Sequence, residues 1–271
     1  MVKEMELESF DGTKLYVRLD QWVRENSEKA VIILIHGLCE HSGRYDYVAS
    51  RLTSAGYKVY RFDHRGHGKS EGNDTFYNSY EEIGNDVKSV FDRVKAHNPG
   101  KKIFIMGHSM GGHASASFGT RFPGSADGFV LLGAITRQTS AKEGEFPIKE
   151  NPSVYIDNSF EEGLCANDMV FEDYANDPLV KKKISIGLLN SVWEGTRFLK
   201  NNAKSFKEPV LVLHGCDDGI VNEKDSREFY GDIASKDKTL KIYPGLCHEL
   251  LNERCRDLII DDILCWLNAH V

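Results

Sequence analysis

The hydrophobic pattern changes character three times along the chain. Residues 3–9 and 14–19 alternate apolar and polar positions around Asp11-Gly12, which predicts an antiparallel hairpin. From Ala30 to Ile35 every residue is apolar and most are β-branched, as expected of a strand buried on both faces of a largely parallel sheet. Further strands are predicted at 58–62, 102–106, 128–132, 210–214 and 239–243, with helices at 45–55, 80–96, 110–121, 223–233 and 253–270. That alternation predicts an α/β fold with a doubly wound, mostly parallel sheet. It stops after Leu132. Residues 134–208 hold no comparable apolar run, only polar loops and a segment in which Ile184 and Leu188, then Leu189 and Trp193, fall four apart on one helical face. The domain reading is therefore a core, 1–133 with 209–271, interrupted by an insertion at 134–208.

Composition narrows the setting. A chain of 271 residues is long for one domain, yet α/β units reach this size. The formal net charge of −7 argues against a large basic surface for nucleic acid or anionic lipid. Lys181-Lys182-Lys183 reads as a solvated face. Residues 1–10 mix charged and apolar positions, without an apolar stretch of signal-peptide length, and no window approaches a membrane span. Six cysteines without a C-x-x-C pair point to reduced thiols and a cytoplasmic setting. Three of them, Cys39, Cys216 and Cys247, fall beside the candidate residues below and are read as small apolar fillers.

The chemistry begins at Gly107-His108-Ser109-Met110-Gly111-Gly112, between the predicted strand at 102–106 and the predicted helix at 110–121. In G-x-S-x-G the glycines let the backbone bend hard at the serine and lift its hydroxyl above the sheet. A serine needs a base, and the base needs a group to orient it. On a strand-turn-helix nucleophile the order is serine, acid, histidine, so the base is sought after Ser109. His113 lies one turn away on the same helix, His214 sits in a strand before the nearby acids, and His270 is penultimate. His248, in a loop after the strand at 239–243, fits. Either Asp217 or Asp218, directly after the strand at 210–214, serves by position as the acid. The oxyanion of an attacked carbonyl needs backbone donors. Met110, after the nucleophile, supplies one; the loop His36-Gly37-Leu38-Cys39 supplies the other, from Leu38 with Cys39 as competitor. No metal site is expected, because His64-Arg65-Gly66-His67-Gly68 reads as a compact hydrogen-bonded loop, and no nucleotide-binding signature occurs.

These residues, with the segments His36 to Tyr45, Asp63 to Gly72 and Asp237 to Tyr243 leading to His248, resemble the α/β-hydrolase superfamily, and within it the monoglyceride lipase and lysophospholipase group of serine hydrolases. The resemblance implies a triad of Ser109, Asp218 and His248, an oxyanion hole from Leu38 and Met110, no cofactor, and an inserted helical cap at 134–208. It places Glu40 and Arg44 beside the pocket for the glycerol end, or in a salt bridge that shapes their own loop. The cap would offer an acyl channel, lined from Phe160, Leu164, Met169, Val170 and Phe171 in one stretch and Ile184, Leu188, Val192 and Trp193 in the other. The implied activity is carboxylic ester hydrolysis through an acyl-enzyme on a small-molecule ester or lipid, with transient lipid-surface contact through the cap. The alternatives are an esterase for short-chain or aromatic acids and, more remotely, a ligand-binding protein on an inactive hydrolase fold.

Overall fold

Two apolar cores, one on each side of a sheet, explain why the predicted strands carry no alternation. In the computed structural model, which describes residues 1–21, 28–139, 141, 145–159 and 163–271, successive side chains of β3 (Val31–Ile35) divide between them. Val31, Ile33 and Ile35 enter the first core, Ile32 and Leu34 the second. The same division holds in β5 (Ile103–His108), β6 (Gly128–Leu132) and β9 (Val210–Gly215). Strand side chains point alternately to opposite faces, so a sheet covered twice demands an apolar residue at every position.

The eight strands run in the order β1-β2-β4-β3-β5-β6-β9-β10, with β1 (Val2–Glu8), β2 (Lys14–Asp20), β4 (Lys58–Phe62) and β10 (Lys238–Tyr243) completing the sheet. β1 and β2 form the predicted hairpin, β2 meets β4 antiparallel, and the other pairings are parallel. α2 (Tyr80–His97), α3 (Met110–Arg121) and α6 (Lys224–Asp232) cover the first core through Val87, Phe118 and Phe229. α1 (Asp46–Ser54) and α7 (Arg256–His270) cover the second through Leu52 and Ile263. Each such side chain, fully buried, contributes about 1.5–3 kcal/mol.

Between β6 and β9, the described residues hold β7 (Tyr155–Asp157), α4 (Asp168–Asn176), β8 (Lys183–Ser185), which pairs antiparallel with β7, and α5 (Ile186–Asn201). The small sheet was not anticipated, because strands of three residues are too short to show a period. α5 is the helix whose apolar face was legible. Ser185 accepts a hydrogen bond from the Leu188 amide at its start, an N-cap, and Leu188, Val192 and Leu199 join the first core. No helix among the described residues is long and apolar enough to cross a membrane. The parallel strands deliver the loops at 36–41, 109, 216–221 and 244–248 to one edge of the sheet, where such folds gather ligands.

Candidate active site

Ser109 sits at the turn between β5 and α3 with φ 54° and ψ −116°, a conformation that costs a non-glycine residue about 1–3 kcal/mol. The surroundings hold it there. Its N–H donates to Leu132 O at 2.9 Å, and its carbonyl accepts from His113 N at 3.0 Å. A Cβ at Gly107 would collide with Gly111 O, and one at Gly111 with Ile35 O, so only glycine lets the turn close against β3. Ser109 and His248 line the same enclosed cavity of about 40 Å³.

His248 Nδ1 donates to Asp218 Oδ2 at 2.7 Å, which leaves Nε2 as the acceptor. Asp218 Oδ1 takes the amides of Ile220 and Val221 at 2.9 and 2.8 Å. Burial raises the Asp218 pKa, but His248 and His214 outweigh it and hold the carboxyl far below its usual range. Burial also pulls His248 below its ordinary value, with Asp218 opposing and His108 adding to the fall. A buried, neutral imidazole tied to an ionised carboxylate is the form of a general base. Asp217 is exposed, and its amide donates to Leu246 O in the His248 loop. The structure thus brings Asp218, not Asp217, to His248.

The family model described as "Serine aminopeptidase, S33" matches residues 26–255. The chain belongs to that family. It is an α/β-hydrolase, and a serine hydrolase and carboxylic ester hydrolase of monoglyceride lipase type. It is 31% identical over 262 residues to the monoacylglycerol lipase of Mycolicibacterium smegmatis, covering 93% of this chain and 92% of that one. The crystal structure of the Paleococcus ferrophilus monoacylglycerol lipase superposes with a TM-score of 0.84 at 29% identity, covering 95% and 99% of the two chains. A soluble variant of the Saccharomyces cerevisiae monoglyceride lipase, solved with a substrate analog, gives a TM-score of 0.86 at 25% identity, covering 100% and 96%.

In this S33 hydrolase the loop after β3 is built around a buried carboxylate. Glu40 Oε1 accepts from the Gly37 amide at 2.6 Å and from Tyr45 O–H at 2.7 Å, and Oε2 accepts from Arg44 at 2.8 Å. Arg44 also makes two hydrogen bonds to Glu249, at 2.7 and 2.8 Å, and lies under the Tyr174 ring at 4.8 Å. Two carboxylates, Glu40 and Glu249, both buried, face the single guanidinium of Arg44, which is half-buried. His108 stands beside the pair. Its Nδ1 lies 3.0 Å from Tyr45 Oη and 3.3 Å from Glu40 Oε1. Burial lowers its pKa, but Glu40 and Glu249 reverse the sign and raise it. Glu40 and Arg44 are therefore joined in the internal salt bridge, and Glu40 also faces the cavity that holds Ser109.

Leu38 lines that cavity and also a second one of about 310 Å³, which Met110, Ile135, Phe146, Leu188, Leu189 and Val192 border. Cys39 is buried behind Leu38 at φ 64°, its carbonyl taken by the Lys181 amide. Of the acyl-channel candidates, Leu188 and Val192 border the large cavity and Leu164 the small one. Trp193 borders neither; it stacks on Phe146 from behind, ring centroids 6.4 Å apart. Ile184 is core, Phe171 packs with Leu164 and Tyr174, Val170 faces an outer cleft, and Met169 is 71% exposed. Phe160 lies outside the described residues. Ile135 and Phe146 went unnoticed in the sequence, because each reaches the site across the chain rather than along it.

The loops that carry His248 and Asp218 share one joint. Gly163 O accepts from the His248 amide at 3.0 Å and the Gly219 amide at 3.3 Å, and Leu164 O from the Glu249 amide at 2.8 Å. Glu253 Oε1 accepts from Cys247 N at 3.0 Å and Ala166 N at 3.2 Å. Gly163 stands at φ +75°, and a Cβ there would overlap Gly219.

Cys216 is exposed, which corrects its reading as a buried filler: it points away from the cores at the end of β9. Cys39 is buried and Cys247 partly so. In the glycine-rich loop, His64 N–H donates to His36 Nε2 at 2.9 Å and His67 Nδ1 donates to Arg65 O at 2.9 Å. Among the described residues no group of three or more His, Cys, Asp or Glu could hold a metal ion.

Proposed function

We propose that the protein hydrolyses monoacylglycerols, with Ser109 as nucleophile, His248 as base and Asp218 as its orienting acid. The observation that carries this is the 2.7 Å bond from His248 Nδ1 to a buried Asp218, in the wall of the cavity that Ser109 also lines. His248 Nε2 takes the Ser109 proton as Oγ attacks the ester carbonyl, and the amides of Leu38 and Met110 receive the oxyanion. The tetrahedral intermediate collapses, the acyl–alkoxy bond breaks, and His248 returns the proton to the leaving glycerol. Water, deprotonated by the same imidazole, then attacks the acyl-serine, releasing the fatty acid and restoring Ser109. No cofactor enters.

In this reading residues 134–208 form the cap. The 310 Å³ cavity takes the acyl chain, its apolar border coming from both cap and core. The smaller cavity, beside Glu40, His108 and Glu249, takes the glycerol end. Val154, Tyr155, Ile156 and Met169, all exposed, are the apolar side chains of the same segment that meet a lipid aggregate. Six free thiols suit a cytoplasmic location. A second reading, an esterase for aromatic acids, draws on Phe146, whose ring borders the large cavity with Trp193 stacked behind it.

The test is kcat/KM over monoacylglycerols, lysophospholipids, p-nitrophenyl esters and methyl cinnamates, with Ser109→Ala as blank and a fluorophosphonate probe as label. A lead of about tenfold or more for medium or long monoacylglycerols, about 1.4 kcal/mol, supports the lipase. A lead for cinnamates supports the second reading. A wild-type protein that the probe leaves unlabelled overturns both.

A further inference from the structure

A second histidine stands on the proposed acid. His214, in β9 and fully buried, was set aside in the search for a base because it precedes the acids. Its Nε2 lies 3.0 Å from Asp218 Oδ2 and 2.9 Å from Val221 O. Nε2 carries a proton that it donates to Val221 O, with Asp218 Oδ2 beside it at ion-pair distance. On the other side of the ring, Nδ1 lies 2.7 Å from Ser226 Oγ in α6. A hydroxyl that donates there keeps the proton on Nε2. Asp218 Oδ2 therefore accepts the His248 N–H on the substrate side and lies 3.0 Å from the protonated nitrogen of His214 on the core side.

We propose that His214 is a positioning residue of the triad, a second imidazole on Asp218 that fixes where its carboxylate sits and shares the negative charge it offers to His248. The inference rests on the triad reading above. Its consequence has a sign. The positive N–H edge of the His214 ring beside Oδ2 offsets part of the charge that stabilises protonated His248, so losing that ring makes His248 easier to protonate. The groups facing His248 are Asp218 and His214 from the end of β9 and its loop, and His108 from the end of β5. Behind His108 stand Glu40 from the loop after β3 and Glu249 from His248's own loop.

The experiment measures kcat, KM and the pH profile of kcat/KM on a soluble p-nitrophenyl ester for His214→Met, His214→Gln and Ser226→Ala in the full chain. The expectation for His214→Met is a kcat lower by about tenfold with KM unchanged, and an acid limb moved to higher pH by about half a unit. Glutamine places an amide N–H near the Nε2 position and restores the wild-type limb. Ser226→Ala, which touches neither Asp218 nor His248, moves the limb in the same direction as methionine. A folded His214→Met with the wild-type limb overturns the proposal. So does a wild-type limb in Ser226→Ala, which decides the matter where the methionine variant fails to fold. If Ser109→Ala stays active, the triad reading falls instead, and the two failures are told apart.

Discussion

Replacing Glu40 by glutamine separates a carboxylate that builds the oxyanion loop from one that meets substrate. In the wild type it collects Gly37 N–H, Tyr45 O–H and Arg44 at 2.6, 2.7 and 2.8 Å. Glutamine keeps one carbonyl oxygen. Turned towards Gly37, it sets its NH₂ against the Arg44 guanidinium; turned towards Arg44, it sets that NH₂ against the Gly37 amide. At about 1.5–3 kcal/mol for each hydrogen bond to a charged group, the loss is about 3 kcal/mol. That is the low end of the range of about 3–5 kcal/mol for breaking a buried pair, because Arg44 keeps Glu249. The Gly37 amide precedes Leu38, so a shifted loop re-aims the Leu38 N–H. Outright loss of such a donor costs about 10²–10³ in kcat; a tilt should cost about 30-fold, with KM within about twofold. Urea unfolding gives the stability, and kcat and KM on a p-nitrophenyl ester and a monoacylglycerol give the rest. An unchanged kcat on the p-nitrophenyl ester, with a KM rise confined to the glycerol ester, would refute the loop argument.

Three further outcomes are expected. If His248 is the base, as proposed, it must be neutral, and because it is pulled below 6.5, kcat/KM should be flat above that pH and fall only as pH drops through the lowered value; a limb centred above 6.5 contradicts the burial argument. His108 is raised above 6.5, so its contribution to stability is fully present below 6.5 and lost as pH rises through the folded value. The urea midpoint should decline on that alkaline side and His108→Gln should abolish the decline, whereas a flat wild-type midpoint undoes the charge count around Arg44. Leu189→Trp, which puts bulk into the large cavity, should lower kcat/KM for a dodecanoyl ester by about 10–200-fold, since each methylene bound is worth about 1–3 kcal/mol, and leave an acetyl ester nearly untouched. Equal losses on both esters would show that the cavity does not hold the acyl chain.

What the sequence disclosed follows from burial. β3, β5, β6 and β9 were legible because a sheet with two cores forces apolar residues in unbroken runs. That Ser109 and His248 come to one cavity was legible because the chain order of strand, turn and loop sends both to the same edge of the sheet. Asp217 and Asp218 were inseparable by position, since one residue flips a side chain from solvent to interior and only the folded loop shows which faces His248. The β7–β8 pair escaped notice for its shortness. Phe146 and Ile135 escaped because nothing local marks a residue whose neighbour lies tens of positions away. His214 looked like an ordinary strand residue, its polarity the one sign that something in the interior required a partner.

The joint at Gly163 bears on how such an enzyme changes its diet over evolutionary time. One carbonyl of the segment between β6 and β9 is tied to the backbones of both His248 and Gly219, at a residue where no side chain fits. Grafting that segment from a relative therefore moves more than a binding surface: a donor piece that lacks this glycine leaves the loops of His248 and Asp218 untethered. Apolar residues bordering the larger cavity can change with the substrate, while the hinge pin on which the loops hang stays fixed.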